Sequence, residues 1–115
     1  MDQLTTILLT KALDALALRS AAISQNIANA NSPGYEPVRV SFESELAAAA
    51  GSGADAVRDV EPRIVRAPHH DAAGGVRLDL ELADASRTAL RYNALTDILN
   101  RHVQLTRLGI QGGRR

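Results

Sequence analysis

Cysteine and tryptophan are both absent from this 115-residue chain, and Phe42, Tyr35 and Tyr92 are its only aromatic residues. Without cysteine there is no disulfide frame, no thiolate metal ligand and no thiol nucleophile. With so few rings, apolar area must come from Leu, Ile, Val and many Ala, the composition of long helices packed side by side. Net charge is also absent, 13 basic residues balancing 13 acidic ones. A protein held to nucleic acid by phosphate neutralisation needs a basic excess, so no nucleic-acid partner is expected. No stretch approaches the roughly 20 apolar residues of a membrane span. Asp2 stands where a secretory signal has basic residues, and Lys11, Asp14 and Arg19 interrupt the apolar stretch behind it, so no cleaved signal is expected. At this length one domain is expected.

Proline is missing before Pro33 and glycine before Gly34, which leaves room for one uninterrupted helix. Leu9, Leu13, Leu16, Ser20, Ile23, Ile27 and Ala30 are spaced alternately four and three apart, with Leu4, Ile7 and Leu8 widening the face. That is a heptad seam, and it asks for a partner helix. A helix from about Leu4 to about Ala30 would be roughly 40 Å long. It must stop at Asn29-Ala30-Asn31-Ser32-Pro33-Gly34-Tyr35, where Asn tolerates the left-handed conformation and Pro forbids continuation. Ser32, Pro33, Gly34 and Tyr35 fit a type II turn, with Gly34 at the position of positive φ.

Beyond the turn, Val38, Val40 and Phe42 alternate with Arg39, Ser41 and Glu43, a short strand signal. Ser41 is a candidate cap for a brief helix through Leu46 to Ala50, stopped by Gly51. From Gly51 to Gly75 breakers dominate, so residues 51–75 are expected to form a flexible connector with extended structure near Arg63–Arg66. The last third returns to four-three spacing: Leu78, Leu82, Ala85, Ala89, Tyr92, Thr96, Leu99, Val103, Thr106 and Ile110, flanked by Leu95, Ile98 and Leu105. Asp79 is a candidate cap. The alternation of Val76, Leu78, Leu80 and Leu82 with polar residues competes as a strand pattern and moves the expected helix start toward Asp84. Gly109 and Gly112-Gly113 are expected to end it.

The fold expected is therefore mainly α. Two long terminal amphipathic helices, in segments 1–35 and 76–115, pack as a coiled-coil-like pair, with a short extended and helical segment (36–50) and a flexible connector (51–75) between them. The residues expected to carry packing and assembly are Leu9, Leu13, Leu16, Ile23, Asn26, Ile27 and Asn29 in the first helix, with Leu82, Tyr92, Leu95, Leu99 and Val103 in the second. For Asn26 and Asn29, helix-end hydrogen bonding and contact with a neighbouring subunit are both open. Residues 1–57 carry three basic and six acidic groups, and residues 58–115 ten and seven. A basic C-terminal segment of this kind is more often a solvated helix face than a site for an acidic partner.

Catalytic chemistry has no visible carrier. His69-His70-Asp71 is the one cluster resembling metal ligands, but adjacent His residues diverge and no matching ligands stand elsewhere. His102 reads as a partly buried helix residue. No nucleophile–base pair, phosphate-binding glycine loop or dinucleotide fingerprint appears. No catalytic, cofactor-binding or metal residues are assigned, no cofactor or small-molecule substrate is expected, and the chain is expected not to be an enzyme.

Asn26-Ile27-Ala28-Asn29-Ala30-Asn31-Ser32-Pro33-Gly34-Tyr35 closely resembles the N-terminal signature of the flagellar axial proteins, which form rod, hook and hook-associated structures. Ala89-Leu90-Arg91-Tyr92-Asn93-Ala94-Leu95-Thr96 looks like the Leu-Arg-Tyr block of FlgB-type proximal rod proteins, and Phe42–Leu46 is similar to their segment after the turn. The resemblance covers roughly residues 4–46 and 76–110. Glu36 departs from it, standing where a basic residue is common, and the approach at Asp71–Gly75 lacks the usual Asn. The resemblance implies a structural subunit exported by the flagellar type III apparatus without a cleaved signal, assembling in the basal body across the periplasm. Its implied partners are other copies of itself, other rod proteins, membrane-ring and rod-adaptor proteins, and the export apparatus. Another short axial protein, or a helical-hairpin adaptor or secretion chaperone, is the alternative.

Overall fold

The computed structural model describes residues 3–66 and 75–113. It is mainly helical, with α1 (Gln3–Ala28), β1 (Val38–Ser41), α2 (Glu43–Ala50), α3 (Ala54–Arg58), β2 (Arg63–Arg66) and α4 (Leu78–Gly113) in chain order. The molecule is a rod, 66 × 26 × 15 Å, because α4 alone, at 36 residues, is roughly 54 Å long.

α1 closes at Ala28, slightly before the expected Ala30. Asn29 ends it with two donors: its backbone N–H and its side-chain Nδ2 both reach the Gln25 carbonyl, at 3.1 and 2.9 Å. The Ala30 N–H then tightens onto the Ile27 carbonyl, as last turns commonly do. The turn follows at once. The Tyr35 N–H donates to the Ser32 carbonyl at 3.2 Å, and Gly34 has φ 74°, the geometry of a type II turn. Nothing lies within 4 Å of where a Cβ on Gly34 would stand, so a substitution there costs backbone strain and no clash. Gly34→Val is expected to destabilise the chain by about 1–2 kcal/mol, and Gly34→Asn by clearly less, since Asn enters the left-handed region more readily. Urea unfolding of the two variants checks this; equal midpoints would contradict it.

After the turn the chain folds back along α1. β1 pairs antiparallel with β2 in the register Val38↔Arg66, Arg39↔Val65, Val40↔Ile64 and Ser41↔Arg63. The brief helix α2 is preceded by Phe42, with no side-chain cap bond, so Ser41 does not cap it; Ser41 is the last residue of β1 instead. Within the expected flexible connector, α3 (Ala54–Arg58) and β2 (Arg63–Arg66) are regular structure. Gly53, at φ 105° and ψ −179°, opens α3 in a backbone region open essentially only to glycine. α3 then buries Val57 completely, and the Lys11 Nζ of α1 holds the Val60 carbonyl just beyond it at 2.9 Å. Residues 67–74, including His69-His70-Asp71, lie outside the described residues.

Ala15, Leu16 and Ala22 of α1 form the buried core with Val40, Phe42, Leu46 and Val57. The middle of the chain supplies most of the buried apolar core around α1, while α4 packs along α1 as the most extensive pairing between elements. α4 adds mainly Leu95 to this core.

α4 starts at Leu78, not near Asp84, and the strand-like alternation of Val76–Leu82 is not used. Arg77 stabilises the start, forking onto the Asp79 carboxylate at 3.2 and 2.8 Å, which holds that carboxyl below its ordinary value. Asp79 lies inside the first turn, where a negative charge suits the helix dipole. Gly109 does not end α4, which continues to Gly113; a single glycine weakens a helix without breaking it. α4 runs antiparallel to α1: Asn26 meets Glu81 near one end, and Leu8 and Ala12 share a groove with Ala94 and Leu95 toward the other.

Candidate assembly interface

The face that α4 turns to α1 is only in part the apolar stripe its sequence displays: Ala85, Leu95 and Leu99 are half-buried, whereas Leu82, Ala89 and Val103 are exposed. Its buried residues are Glu81, Thr88 and His102, with Leu95 half-buried between them. These four stand seven apart, so the heptad is real, but its inner seam is rotated by one residue from the expected Leu82, Ala89, Thr96 and Val103. Ala85 and Leu99 fall between the two stripes and are half-buried. The cause of the rotation lies at Glu81.

Glu81 and Asn26 are both fully buried, at 0% exposure. Asn26 sits two residues before the end of α1, and its side-chain amide pairs with the backbone of Val38 as a neighbouring strand would. Nδ2 donates to the Val38 carbonyl and Oδ1 accepts the Val38 N–H, both at 2.9 Å. Oδ1 also accepts the Tyr35 hydroxyl at 2.7 Å, and Nδ2 reaches Glu81 Oε2 at 3.2 Å. Arg39 Nη2 meets the other Glu81 oxygen at 2.5 Å. Burial and the nearby Glu81 carboxylate push the Tyr35 phenol above its ordinary value, Arg39 pulling the other way. One amide thus fixes the chain after the turn, the start of β1 and the start of α4. Among the described residues no buried side-chain polar atom lacks a partner, as a polar cluster at this depth requires.

A second clasp joins α1 to α2. Arg19 places both guanidinium arms on Glu43, at 2.6 and 2.7 Å, and also holds the Val40 carbonyl. Its cationic carbon lies 4.7 Å from the centre of the Phe42 ring. Arg19 holds the Glu43 carboxyl below the usual glutamate range. Glu36, read from the sequence as a departure, pairs with Arg66 across the β1–β2 edge at 3.0 Å.

The sequence-derived interface residues therefore divide. Leu9, Leu16 and Ile23 are buried within the chain, and Leu13, Ile27, Asn29, Leu95 and Leu99 are half-buried. Asn26 is sealed inside, so in this fold it holds its own chain together and offers nothing to a neighbour. Asn29 serves the helix end, its Oδ1 also accepting the Ser32 hydroxyl at 3.2 Å. By contrast Leu82 (57% exposed), Tyr92 and Val103 lie open. With Leu78, Ala89 and Ile110, also exposed, they form a four-three stripe along α4. Thr96 and Thr106 in that stripe turn their hydroxyls onto the Tyr92 and His102 carbonyls, at 2.8 and 3.0 Å, a back-bond that satisfies the polar group within the helix. Ala89 and Tyr92 border a cleft against Leu16, Ala17 and Ser20 of α1, while Leu78, Leu82, Val103 and Ile110 leave apolar surface exposed along the outer side of α4, more than the scattered apolar residues of an ordinary surface.

The sequence reading missed Glu81, Arg39, Thr88 and the groove beside α2. The one available signal was the seven-residue step of Glu81, Thr88, Leu95 and His102, masked by the more apolar stripe next to it. Among the described residues no group of three His, Asp or Glu side chains is placed to hold a metal, and no helix is long and apolar enough to cross a membrane. Comparison with models of known protein families and with curated proteins finds no match.

Proposed function

We propose that this protein is a structural subunit of a helical assembly, and specifically a proximal rod subunit of the bacterial flagellar basal body. The observation that carries the assembly reading is the outer side of α4, where Leu78, Leu82, Val103 and Ile110 of the heptad-spaced stripe stand exposed on a helix whose inner face is already packed. Such a stripe calls for another helix, and repeated copies of the same chain supply one. The flagellar assignment rests on the Asn26–Tyr35 and Ala89–Thr96 motifs. On this reading the antiparallel α1–α4 pair packs beside the pairs of neighbouring subunits, and the chain links the membrane ring to the distal rod. Ring and adaptor proteins meet its proximal copies, and the export apparatus delivers it without a cleaved signal. Its role is mechanical and not enzymatic.

The second reading, a helical-hairpin adaptor or secretion chaperone, draws support from the core that α1, β1, α2 and α3 close without a neighbour. One double variant separates the two. Leu82→Asp with Val103→Asp changes two exposed positions, so the isolated chain should keep its stability to within about 0.5 kcal/mol per site. In a flagellated cell the variant should be made and exported, yet build no rod and leave no swimming halo. Normal swimming would overturn the rod assignment.

A further inference from the structure

Two heptad stripes run side by side along α4. Glu81, Thr88, Leu95 and His102 face α1, and Leu82, Ala89, Thr96 and Val103 stand one residue further on. Successive helix residues lie about 100° apart around the axis, so a turn of that size exchanges one stripe for the other. The outer stripe is the more apolar of the two, with Leu82 57% and Val103 40% exposed, whereas the inner one holds the buried carboxylate of Glu81. Space for the exchange exists. On the side of α4 that carries Ala89, Tyr92 and Asn93, a cleft of about 330 Å³ separates it from Leu16, Ala17 and Ser20 of α1. α1 is also the element along which α4 packs most extensively, so turning α4 about its axis disturbs one main interface.

The present seat is held at Glu81. Arg39 Nη2 meets one of its oxygens at 2.5 Å and the Asn26 amide meets the other at 3.2 Å, bonds strengthened by the charges they join. Most of the cluster does not need α4. Asn26 keeps both Val38 bonds and the Tyr35 hydroxyl without it. The Arg39 side chain is 27% exposed and reaches water. We propose that α4 has two seats on α1, and that Glu81 selects the one that keeps the apolar stripe outward. In the second seat α4 is turned by one residue, Leu82 and Ala89 face α1, the cleft beside Tyr92 closes, and Glu81 stands in water. Packed helices have such discrete alternative arrangements, and a few polar contacts decide between them. Glu81 is therefore the residue that presents Leu82 and Val103 to a neighbour, and a chain without its clasp covers its own docking face. That consequence rests on the assembly-subunit reading; the two seats are a property of the single chain.

Glu81→Lys tests this, because it removes the clasp and sets a cation against Arg39. With one seat only, an unpaired buried charge detaches α4 or unfolds the chain; with two, α4 turns and stays docked. The natural chain has no cysteine, so a single engineered thiol reports the rotation of α4. Thr88→Cys and Ala89→Cys are made one at a time, with and without Glu81→Lys, and labelled with a water-soluble maleimide. Thr88 is 4% exposed and Ala89 is exposed. In the otherwise natural chain Ala89→Cys should therefore react about tenfold faster than Thr88→Cys, or more. With Glu81→Lys the order should reverse, and circular dichroism should show the helical signal kept. Glu81→Gln, which still accepts from Arg39, should keep the natural order. Any other pattern with Glu81→Lys overturns the proposal. An unchanged order means that α4 has one seat, and fast labelling at both positions means that it has left α1. Either result leaves the rod assignment standing, since that is decided separately by swimming of the Leu82→Asp, Val103→Asp variant.

Discussion

Asn26→Leu is expected to cost the chain at least about 3 kcal/mol of stability, far more than the loss of a surface amide. The leucine fills similar space but strands the Val38 N–H, the Val38 carbonyl, the Tyr35 hydroxyl and one Glu81 oxygen, all of which lean on that single amide. A buried polar group left without a partner costs about 1–3 kcal/mol, and more if charged. Partial relaxation keeps the total below the simple sum. Asn26→Asp separates this account from one based on shape. Its oxygens still accept from Val38 and Tyr35, but it loses the donor and sets a second carboxylate against Glu81. Two carboxylates so close raise the pKa of one of them in the folded state. A raised acidic pKa penalises folding above that pKa and is relieved as pH falls, so the deficit of the Asp variant should shrink on going from neutral to mildly acidic buffer, while that of the Leu variant should not. Urea unfolding at both pH values measures it; parallel deficits would remove Glu81 from the account.

Phe42→Ala is expected to cost about 3–5 kcal/mol, the range for emptying a buried aromatic site. Phe42 is 4% exposed, in a core shared with α1, α2 and α3, and Arg19 would lose the ring beneath it. Against the roughly 5–15 kcal/mol that holds a typical domain together, this leaves a small margin or none. Leu82→Ala removes a side chain that is just as apolar from an exposed site and should shift stability by no more than about 0.5 kcal/mol. Chemical denaturation of the two variants compares them directly. A Leu82 variant as damaged as the Phe42 one would mean that the outer seam is packed within the isolated chain.

What could be read from the sequence was local in origin. The end of α1 and the turn at Ser32–Tyr35 depend on Asn, Pro and Gly chemistry confined to a few residues, and the Arg63–Arg66 strand shows its extended character directly. The α1 seam was visible because Leu16 and Ile23 are apolar and lie where burial occurs. The inner face of α4 was not visible, because hydrophobicity favours Leu82 and Val103 over Glu81 and His102. Only Arg39 and Asn26, brought in from two other elements, make the buried Glu81 tolerable, and they fix the rotation of α4 about its axis. A buried polar residue that sets register is a known device in helical pairs. The ordered middle was hidden for a related reason. Ala47–Ala50 and Val57 carry little hydrophobic signal, and the glycines around them read as breakers. Gly53 instead supplies the backbone bend that turns Val57 into the core.

The central claim is that this chain builds a flagellar rod through α4. Its most direct test is a cryo-electron-microscopy map of basal bodies isolated from flagellated cells that express the chain, with the chain content checked by mass spectrometry. The account predicts this chain in the proximal rod, with α1 and α4 antiparallel and Leu82 and Val103 buried against a neighbouring subunit. Basal bodies that lack the chain, or a rod in which Leu82 and Val103 face open solvent, would contradict it.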